Sequence, residues 1–552
     1  MVVPELRAWR AARPRLARAA QAVRPRLTRV ARAVRPRARR VAETVRPRVA
    51  RATGTVKPHV TRVAHFARPR AGRFTTPQLA AVATVMGLAL AVGAASAAGP
   101  WDSSGQRTAE RERAAAWDRE GGADHGRGAG ATAQSPAPAP SAAPVLAGVG
   151  AATALQSAPG VRPLAAALDK LLGDASLGSR RSAVVVDIAT GKRLYGKNAD
   201  DALTPASTTK IATAVAVLSA AGPDHRFTTR TALEPGTDKL VLVGGGDPTL
   251  TARAKAEGWA SLRTLAGTTA AALKKRGLSS VSLAYDASLF TGDALHPIGV
   301  NPNLAPVTAL TADEGRRDNS TDGPADRSTD PAGDAARTFA GLLRERGIKT
   351  SASGVPAAKA TSRAETVASV QSPPLSAVVE RMLTNSDNDI AEALARQTAL
   401  ATGGRASFDG GAAAIAAQLG KLRLPLAGAA FHDGSGLNRD DRLTADLLTS
   451  LLATAGSASH PELRTVLTGL PVAGFTGTLS DRYADAAERS GTGLVRAKTG
   501  TLTGVNTLAG TVVDADGRLL AFAFLTDGSM DQTAARTALD RTAAQLAGCG
   551  CR

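Results

Sequence analysis

The sequence predicts an α/β fold in which a central antiparallel sheet is covered by helices. Strand patterns joined by tight turns occur near both ends of the globular part of the chain, and a helical pattern lies outside each of them. Strands near both ends, flanked by terminal helices, are typical of one sheet with helices packed on it. At 552 residues the chain is long enough for two or three domains and a large core.

The elements behind this prediction are short and well bounded. Apolar residues at helical spacing predict a helix over 162–172, and Pro163 suits its first turn. A strand is predicted over 182–188, followed by a turn into a second strand that runs through Tyr195. At the other end, strands over 507–513 and 519–525 and a helix over 532–546 complete the pattern.

The net charge of +21 belongs almost entirely to residues 1–73. That arm holds 21 Lys and Arg against Glu5 and Glu43, which leaves 47 basic and 45 acidic residues elsewhere. The globular part is therefore nearly neutral, and nucleic-acid binding by the whole protein is excluded. Prolines recur in the arm every 11 residues, mostly within Arg-Pro-Arg triplets, at Pro14, Pro25, Pro36, Pro47, Pro58 and Pro69.

The prolines predict short, kinked helices or an unfolded arm, because each would cost about 3 kcal/mol inside a helix. Three roles stay open for this cytoplasmic arm. It is a solvated tail, it is attracted to anionic lipid at the inner leaflet, or, as the weakest alternative, it binds RNA or DNA.

A membrane helix is predicted within residues 74–100. No charged residue occurs between Arg73 and Asp102, and 79–98 is an apolar stretch long enough for the ~30 Å hydrocarbon core. The basic arm would keep the N-terminus in the cytoplasm and place the rest of the chain outside. The segment 95–97 also resembles a signal-peptidase site, so cleavage near Ala97 and secretion is the alternative to a single-pass anchor. Residues 101–160, rich in Ala, Gly and Pro, form a linker.

A short polar stretch before a helical pattern carries the first candidate catalytic residues. Thr204 is expected to cap a helix and Pro205 to occupy its first position. Ser207 then lies in the first turn, with Lys210 three residues further on the same face, where its amine can reach the serine hydroxyl. A serine needs a neighbouring base to become a strong nucleophile, and a lysine with a lowered pKa can be that base.

Two further polar motifs follow along the chain. Ser386-Asp387-Asn388 precedes another helical pattern, and Lys498-Thr499-Gly500-Thr501 begins a strand pattern. Taken singly, the three motifs are common as a capped surface helix, an N-cap and a polar loop. Together, and in this order, they resemble the signature set of penicillin-binding proteins and serine β-lactamases.

This resemblance implies a role for each residue of the first two motifs. Ser207 would attack the substrate carbonyl, with Lys210 as the base. Ser386 would relay the proton towards the leaving amine. Asn388 would hold the substrate amide and Lys210.

The third motif would bind the substrate's end. Lys498 supplies positive charge, while Thr499 and Thr501 would hydrogen-bond the terminal carboxylate. The backbone N–H groups of Ser207 and Thr501 would form the oxyanion hole, worth roughly 3–4 kcal/mol per donor in comparable sites. No cofactor and no metal are implied, and Cys549 and Cys551 do not form a zinc-type cluster with histidines.

Within that group, the chain resembles the class C low-molecular-mass penicillin-binding proteins, D-alanyl-D-alanine carboxypeptidases with endopeptidase activity. The resemblance covers roughly 161–546 and none of the N-terminal arm. Beside the three motifs it rests on the stretches 195–218, 241–248, 305–310, 432–437 and 470–474, and on 498–505 around the third motif.

The family implies an α/β transpeptidase-like fold with an inserted, mostly β domain. Lys210 and Ser386 are separated by 175 intervening residues, which leaves room for such an insert. We therefore expect a catalytic domain from 161–222 and 375–552 and an inserted domain from 223–374. Residues 313–334, rich in Asp, Arg, Ser and Gly, are expected to form a loop.

The resulting hypothesis is a serine D-Ala-D-Ala carboxypeptidase/endopeptidase that acts on peptidoglycan stem peptides through an acyl-enzyme and is acylated by β-lactams. A serine β-lactamase is the closest alternative, although no acidic motif shortly after Ser386 supplies its second base. A non-hydrolytic β-lactam sensor or cell-wall-binding protein is the third. The intact catalytic motifs favour the enzyme.

Overall fold

The computed structural model describes residues 161–350 and 354–549. The helices are α1 (Val161–Leu172), α2 (Thr209–Ala221), α3 (Leu262–Lys275), α4 (Pro331–Glu345), α5 (Leu375–Asn385), α6 (Asn388–Ala401), α7 (Phe408–Lys421), α8 (Ala445–Gly456), α9 (Arg464–Thr468) and α10 (Gln532–Ala547). The strands are β1 (Arg180–Asp187), β2 (Arg193–Lys197), β3 (Thr228–Leu233), β4 (Lys239–Val243), β5 (Ser280–Asp286), β6 (Lys349–Thr350), β7 (Glu365–Gln371), β8 (Val495–Leu502), β9 (Val505–Val513) and β10 (Leu519–Asp527).

The first sheet joins the two ends of the globular chain. Its strand order is β2-β1-β10-β9-β8, and every neighbouring pair is antiparallel. The central pairing runs from Arg180 opposite Asp527 to Asp187 opposite Leu520. The predicted central antiparallel sheet is confirmed, and its predicted strands and terminal helices lie within two residues of their observed bounds.

Both faces of this sheet are buried, which explains why β1 carries a continuous apolar run. Val184 and Val186 face one hydrophobic core together with residues of α2, α5, α6 and α8. Ala183 and Val185 face a second core together with residues of α1 and α10. Successive side chains of a strand point to opposite faces, so a strand between two helical layers needs apolar residues at every position.

A second sheet lies within residues 228–371 and has the order β6-β5-β4-β3-β7. Strand β4 is parallel to β5 and β5 to β6, while the other pairs are antiparallel. Helices α3 and α4, of 14 and 15 residues, share a hydrophobic core with it. The expectation of a mostly β insert is therefore wrong: this segment is mixed α/β, because a parallel strand pair needs a crossover and the connection contains α3.

The predicted loop over 313–334 is largely confirmed, since it holds only a short helical turn at Asp313–Gly315 and the first residues of α4. The predicted cytoplasmic arm (1–73), the predicted membrane helix (74–100, apolar core 79–98) and the predicted linker (101–160) lie outside the described residues. Among the described residues, no helix combines the length and apolar composition that a membrane span requires.

Candidate active site

The nucleophile segment begins with a single helical turn rather than with the α-helix itself. Ala206–Thr208 form a 3-10 turn, and α2 starts only at Thr209. The expected cap is wrong, because Thr204 donates its hydroxyl to the carbonyl of Arg439 at 3.3 Å and caps no helix. The turn is held instead at the Pro205 carbonyl, which accepts the hydroxyl of Thr208 at 2.7 Å.

Lys210 lies at the first turn of α2 and is completely buried. Its Nζ contacts the Ser207 Oγ at 3.0 Å, the Asn388 Oδ1 at 2.6 Å and the Ser435 carbonyl oxygen at 2.7 Å. These three acceptors match the three donors of an ammonium group. A deprotonated Lys210 would accept the Ser207 proton along the same 3.0 Å contact.

The pKa of Lys210 is lowered to about 8, because burial disfavours its charged form. Asp433 and Glu392 oppose this effect, since their negative charges stabilise the ammonium. A lysine with a pKa near 8 has a substantial neutral fraction close to neutral pH, as a general base requires.

The second motif is positioned by the junction between two helices. Helix α5 ends at Asn385, and Ser386 takes a left-handed conformation with φ 58°. Asp387 then caps α6 by accepting the Ile390 N–H at 3.0 Å. Asn388, the first residue of α6, donates its amide to the Asn303 carbonyl at 3.0 Å while its oxygen accepts from Lys210. Ser386 therefore ends α5 and Asp387 begins α6, and this junction places Asn388 against Lys210.

The third motif lies in β8, at the edge of the first sheet. Lys498 is fully buried and donates to the Ser386 Oγ and to the Thr499 carbonyl, both at 2.8 Å. Burial lowers its pKa well below the usual value, and the charges of Lys210 and Arg482 act in the same direction. The Thr499 hydroxyl donates to the Thr478 hydroxyl at 2.9 Å.

The three motifs meet in one cleft of about 350 Å³. Five of the seven predicted site residues line it: Ser207, Ser386, Asn388, Thr499 and Thr501. The other two, Lys210 and Lys498, lie buried behind its wall and reach it through Ser207 and Ser386. The hydroxyl-bearing residues Ser207 and Ser386 therefore line the cleft. Behind them, the buried amine of Lys210 is hydrogen-bonded to Ser207 and that of Lys498 to Ser386.

Close backbone approach brings these segments together. A Cβ on Gly500 would lie 2.1 Å from the Thr507 hydroxyl, 2.7 Å from the Pro205 carbonyl and 3.1 Å from the Ser207 nitrogen. The Thr507 hydroxyl also donates to that carbonyl at 2.8 Å. Only glycine lets β8 pass this close to the nucleophile turn.

The buried residues that support Lys210 from below were not predicted from the sequence. The Ser435 carbonyl that accepts from Lys210 belongs to a loop whose backbone is hydrogen-bonded by two acids. Glu392 accepts the Ser435 N–H at 2.8 Å, and Asp433 accepts the Gly436 N–H at 2.6 Å. These residues lie in the stretch 432–437 or contact it. That stretch contributed to the family resemblance, but no catalytic role was predicted for it. The available signal was an Asp-Gly-Ser-Gly turn rich in backbone donors.

Within the part of the chain that the structure describes, two groups of buried side chains have the composition of metal sites. They are His296, Glu392 and Asp433, and Glu314, Asp387 and Asp389. In the first group His296 lies 3.0 Å from Asp433, and Glu392 binds backbone N–H groups. In the second, Arg316 lies 2.8 Å from Glu314 and Arg327 lies 3.0 Å from Asp389. Protein donors thus compensate the charge of both groups.

The sequence of this chain is similar to that of known proteins. The model of a family described as the D-Ala-D-Ala carboxypeptidase 3 (S13) family matches residues 164–328 and 316–547. "Carboxypeptidase Rv3627c" of Mycobacterium tuberculosis is 36% identical over 417 residues, covering 74% of this chain and 88% of that protein. A "D-alanyl-D-alanine carboxypeptidase" of an Actinomadura species is 32% identical over 476 residues, covering 69% and 84%.

The fold is also similar to that of solved structures. Penicillin-binding protein 4 of Haemophilus influenzae matches with a TM-score of 0.57 at 23% identity, and its complex with a β-lactam with a TM-score of 0.53 at 24% identity. Both matches cover 69% of this chain and 98% of the other.

Proposed function

Because this chain belongs to the D-Ala-D-Ala carboxypeptidase 3 (S13) family, we infer that it is a serine-type D-Ala-D-Ala carboxypeptidase acting on peptidoglycan stem peptides. The observation that carries the assignment of residues is the contact between the buried Lys210 amine and the Ser207 hydroxyl, 3.0 Å apart, at the cleft. Nucleophile and base within hydrogen-bond reach are the arrangement that acyl transfer requires.

The first step forms an acyl-enzyme. Neutral Lys210 takes the proton of Ser207 as the hydroxyl oxygen attacks the carbonyl of the penultimate D-alanine. The backbone N–H groups of Ser207 and Thr501 stabilise the resulting oxyanion. The close passage of β8 over the Ser207 nitrogen, 3.1 Å from the Gly500 Cβ position, supports this pairing of donors.

The second half of this step releases D-alanine. Ser386, which accepts a hydrogen bond from Lys498 at 2.8 Å, passes a proton to the leaving amine. Asn388 holds Lys210 and the substrate amide. Lys498, Thr499 and Thr501 bind the terminal carboxylate. Water then hydrolyses the ester on Ser207. A β-lactam also forms an ester with Ser207, but water hydrolyses that ester slowly.

Replacement of the nucleophile tests this function. The full-length chain and Ser207→Ala would be incubated with a pentapeptide ending in D-Ala-D-Ala and, separately, with a fluorescent penicillin. We expect D-alanine release and a persistent covalent label with the native chain, and neither with Ser207→Ala. Ser219→Ala, further along α2 and outside the cleft, is the matched control and should retain both.

The same assay separates the alternatives. Rapid penicillin turnover without peptide cleavage would indicate a β-lactamase. A stable label without peptide cleavage would indicate a sensor. Peptide cleavage that survives Ser207→Ala would reject the catalytic assignment altogether.

We also propose that the chain is a single-pass protein of the cell membrane with its catalytic part outside. The apolar stretch 79–98 and the basic arm of 1–73 support this proposal, and the arm's charge suits anionic lipid at the inner leaflet. Replacing Leu88 and Leu90 by arginine would cost roughly 2.5–3.5 kcal/mol each at the bilayer centre. We expect the native chain, but not this variant, to stay in the membrane after carbonate washing.

The control places two arginines in the linker, where they should change nothing. Recovery of the native chain from the medium with its N-terminus near Ala98 would contradict the anchor and indicate a cleaved signal.

A further inference from the structure

A short loop between β5 and α4 reaches the surroundings of the catalytic lysine. It spans residues 296–303, and the carbonyl of its last residue, Asn303, accepts a hydrogen bond from the Asn388 amide at 3.0 Å. The side-chain oxygen of Asn388 in turn accepts from Lys210 at 2.6 Å. The loop therefore contacts a partner of Lys210, although it belongs to the segment of the second sheet and contains none of the three catalytic motifs.

The first residue of this loop is a buried histidine. His296 is only 2% exposed, and its ring packs edge to face against Phe408 with 5.0 Å between the ring centres. Its Nδ1 accepts the Ile298 N–H at 3.2 Å, so the ring carries its proton on Nε2. That Nε2 donates to the Asp433 carboxylate at 3.0 Å. The backbone of the loop thus fixes which atom of the ring faces the acid.

Asp433 carries this contact to the backbone that supports the base. One of its oxygens accepts the N–H groups of Ser435 and Gly436 at 3.0 and 2.6 Å. The other accepts the Asn438 N–H at 2.7 Å besides the histidine. The carboxylate therefore orders the turn whose Ser435 carbonyl accepts from Lys210 at 2.7 Å.

The position of the charge on this carboxylate depends on the histidine. Burial raises the pKa of Asp433, and the hydrogen bond from His296 is the largest effect that lowers it. Because Asp433 shares a proton with Asp441, loss of this donor would move the charge towards Asp441. Asp433 has a larger effect than Asp441 on the pKa of Lys210. Three further charged groups interact with Lys210, namely Glu392, Asp387 and Lys498.

We propose that His296 is a positioning residue for the general base, acting through Asp433 on the turn that holds the Ser435 carbonyl against Lys210. The inference rests on the proposed function, in which Lys210 is the base. It gives the second-sheet segment a part in catalysis, because this segment supplies the donor that orients the Asp433 carboxylate. His296 itself lies outside the lining of the cleft and acts only through these contacts.

The rate of acylation by a fluorescent penicillin, measured across pH on the full-length chain, tests this role. His296→Leu removes the donor, whereas His296→Gln keeps an N–H donor. In His296→Leu we expect the plateau rate to fall about tenfold, because the Ser435 carbonyl is no longer fixed, and the acid limb to move to lower pH, because negative charge moves away from Lys210. His296→Gln should keep the limb at its native pH and a plateau within about threefold of the native rate.

His460→Leu is the matched control, because it breaks a histidine–acid pair of similar length outside the cleft. The His460 Nδ1 lies 2.9 Å from the Glu462 carboxylate, and this variant should keep the native limb and plateau.

A merely structural role for His296 would lower the melting temperature and the plateau of His296→Leu but leave the limb in place. That result, or native kinetics in His296→Leu, would overturn the assignment. A limb that moves in His296→Gln would also overturn it, so the assignment stays open to refutation even if His296→Leu does not fold. Absence of labelling in the native chain would overturn the proposed function as well.

Discussion

Lys210 is completely buried, and a group of buried acids lies close enough for their charges to act on its pKa. Asp433 and Asp441 lie close enough to share a proton. The pKa of Asp441 is raised to about 10 by burial and by the charge of Asp433. The pKa of Asp433 is lowered, because hydrogen bonds from His296 and the Gly436 N–H outweigh the effect of its burial. The two carboxyls therefore hold one proton between them at neutral pH, and their hydrogen bonds favour the charge on Asp433. The acids limit the fall of the Lys210 pKa without cancelling it.

This balance predicts how acylation depends on pH. Only the neutral amine accepts the Ser207 proton, so the rate should fall as pH drops through the Lys210 pKa of about 8. The neutral fraction rises about tenfold between pH 7 and pH 9 for such a pKa, and we expect the same rise in the rate of labelling by penicillin. Stopped-flow measurement across this range checks it.

The variant Glu392→Gln identifies the group that titrates. It keeps an acceptor for the Ser435 N–H but removes a negative charge that raises the Lys210 pKa. The acid limb of the profile should therefore move to lower pH. A limb that stays in place or moves to higher pH would show that Lys210 is not the base.

At the scale of elements, the site depends on how closely β8 passes the start of α2. Gly500 permits this approach, and Gly436, with φ 81°, permits a second one, since a Cβ there would lie 1.9 Å from the Ala206 carbonyl. The nucleophile turn is thus held between a sheet edge and a loop. Both contacts join segments that are hundreds of residues apart in sequence.

Gly500→Ala should separate β8 from the nucleophile turn. The added methyl meets the Pro205 carbonyl and the Ser207 nitrogen, and over-packing of this kind costs about 1–3 kcal/mol. We expect a fall of at least tenfold in penicillin labelling together with a lower melting temperature. Gly341→Ala, in the interior of α4, is the control and should be neutral or stabilising, because the nearest atom to its Cβ position is the Arg344 Nη2 at 3.9 Å. Full labelling by Gly500→Ala would contradict the role given to this contact.

At the scale of the whole molecule, a buried charge cluster ties the second-sheet segment to the second catalytic motif. Glu314 and Arg327 come from the loop before α4, whereas Asp389 follows Asn388 directly. The side chains of Arg327 and Asp389 are only 4% and 8% exposed, so neither charge is well hydrated. The Asp389 carboxylate also accepts the Ala305 N–H at 2.9 Å, which adds a second link.

Arg327→Gln should loosen this link. Removing one partner of a buried ion pair leaves the other uncompensated, and we expect the free energy of unfolding in denaturant to fall by about 3 kcal/mol. The double variant Arg327→Gln/Asp389→Asn, which leaves a neutral pair, should recover at least half of that loss. Simple addition of the two single effects would show that the residues are not coupled.

Much of this protein could be predicted from local sequence. The strands and terminal helices of the first sheet followed from hydrophobic periodicity and turn residues, and both are local properties. The family followed from three short motifs in a fixed order, and the structure brings all seven of the predicted site residues together. Their individual roles stay predictions until the variants are measured.

Tertiary structure decided what depends on contacts between distant residues. The mixed α/β character of the second sheet and the Ser435 carbonyl beneath Lys210 are of this kind. No local pattern reveals them, because a buried donor or charge acquires its role only from partners that folding brings near. The sequence by itself therefore determined the main sheet, the family and the catalytic motifs. Packing alone set the pKa of the base, because that pKa depends on the burial of Lys210 and on acids that are distant from it in sequence.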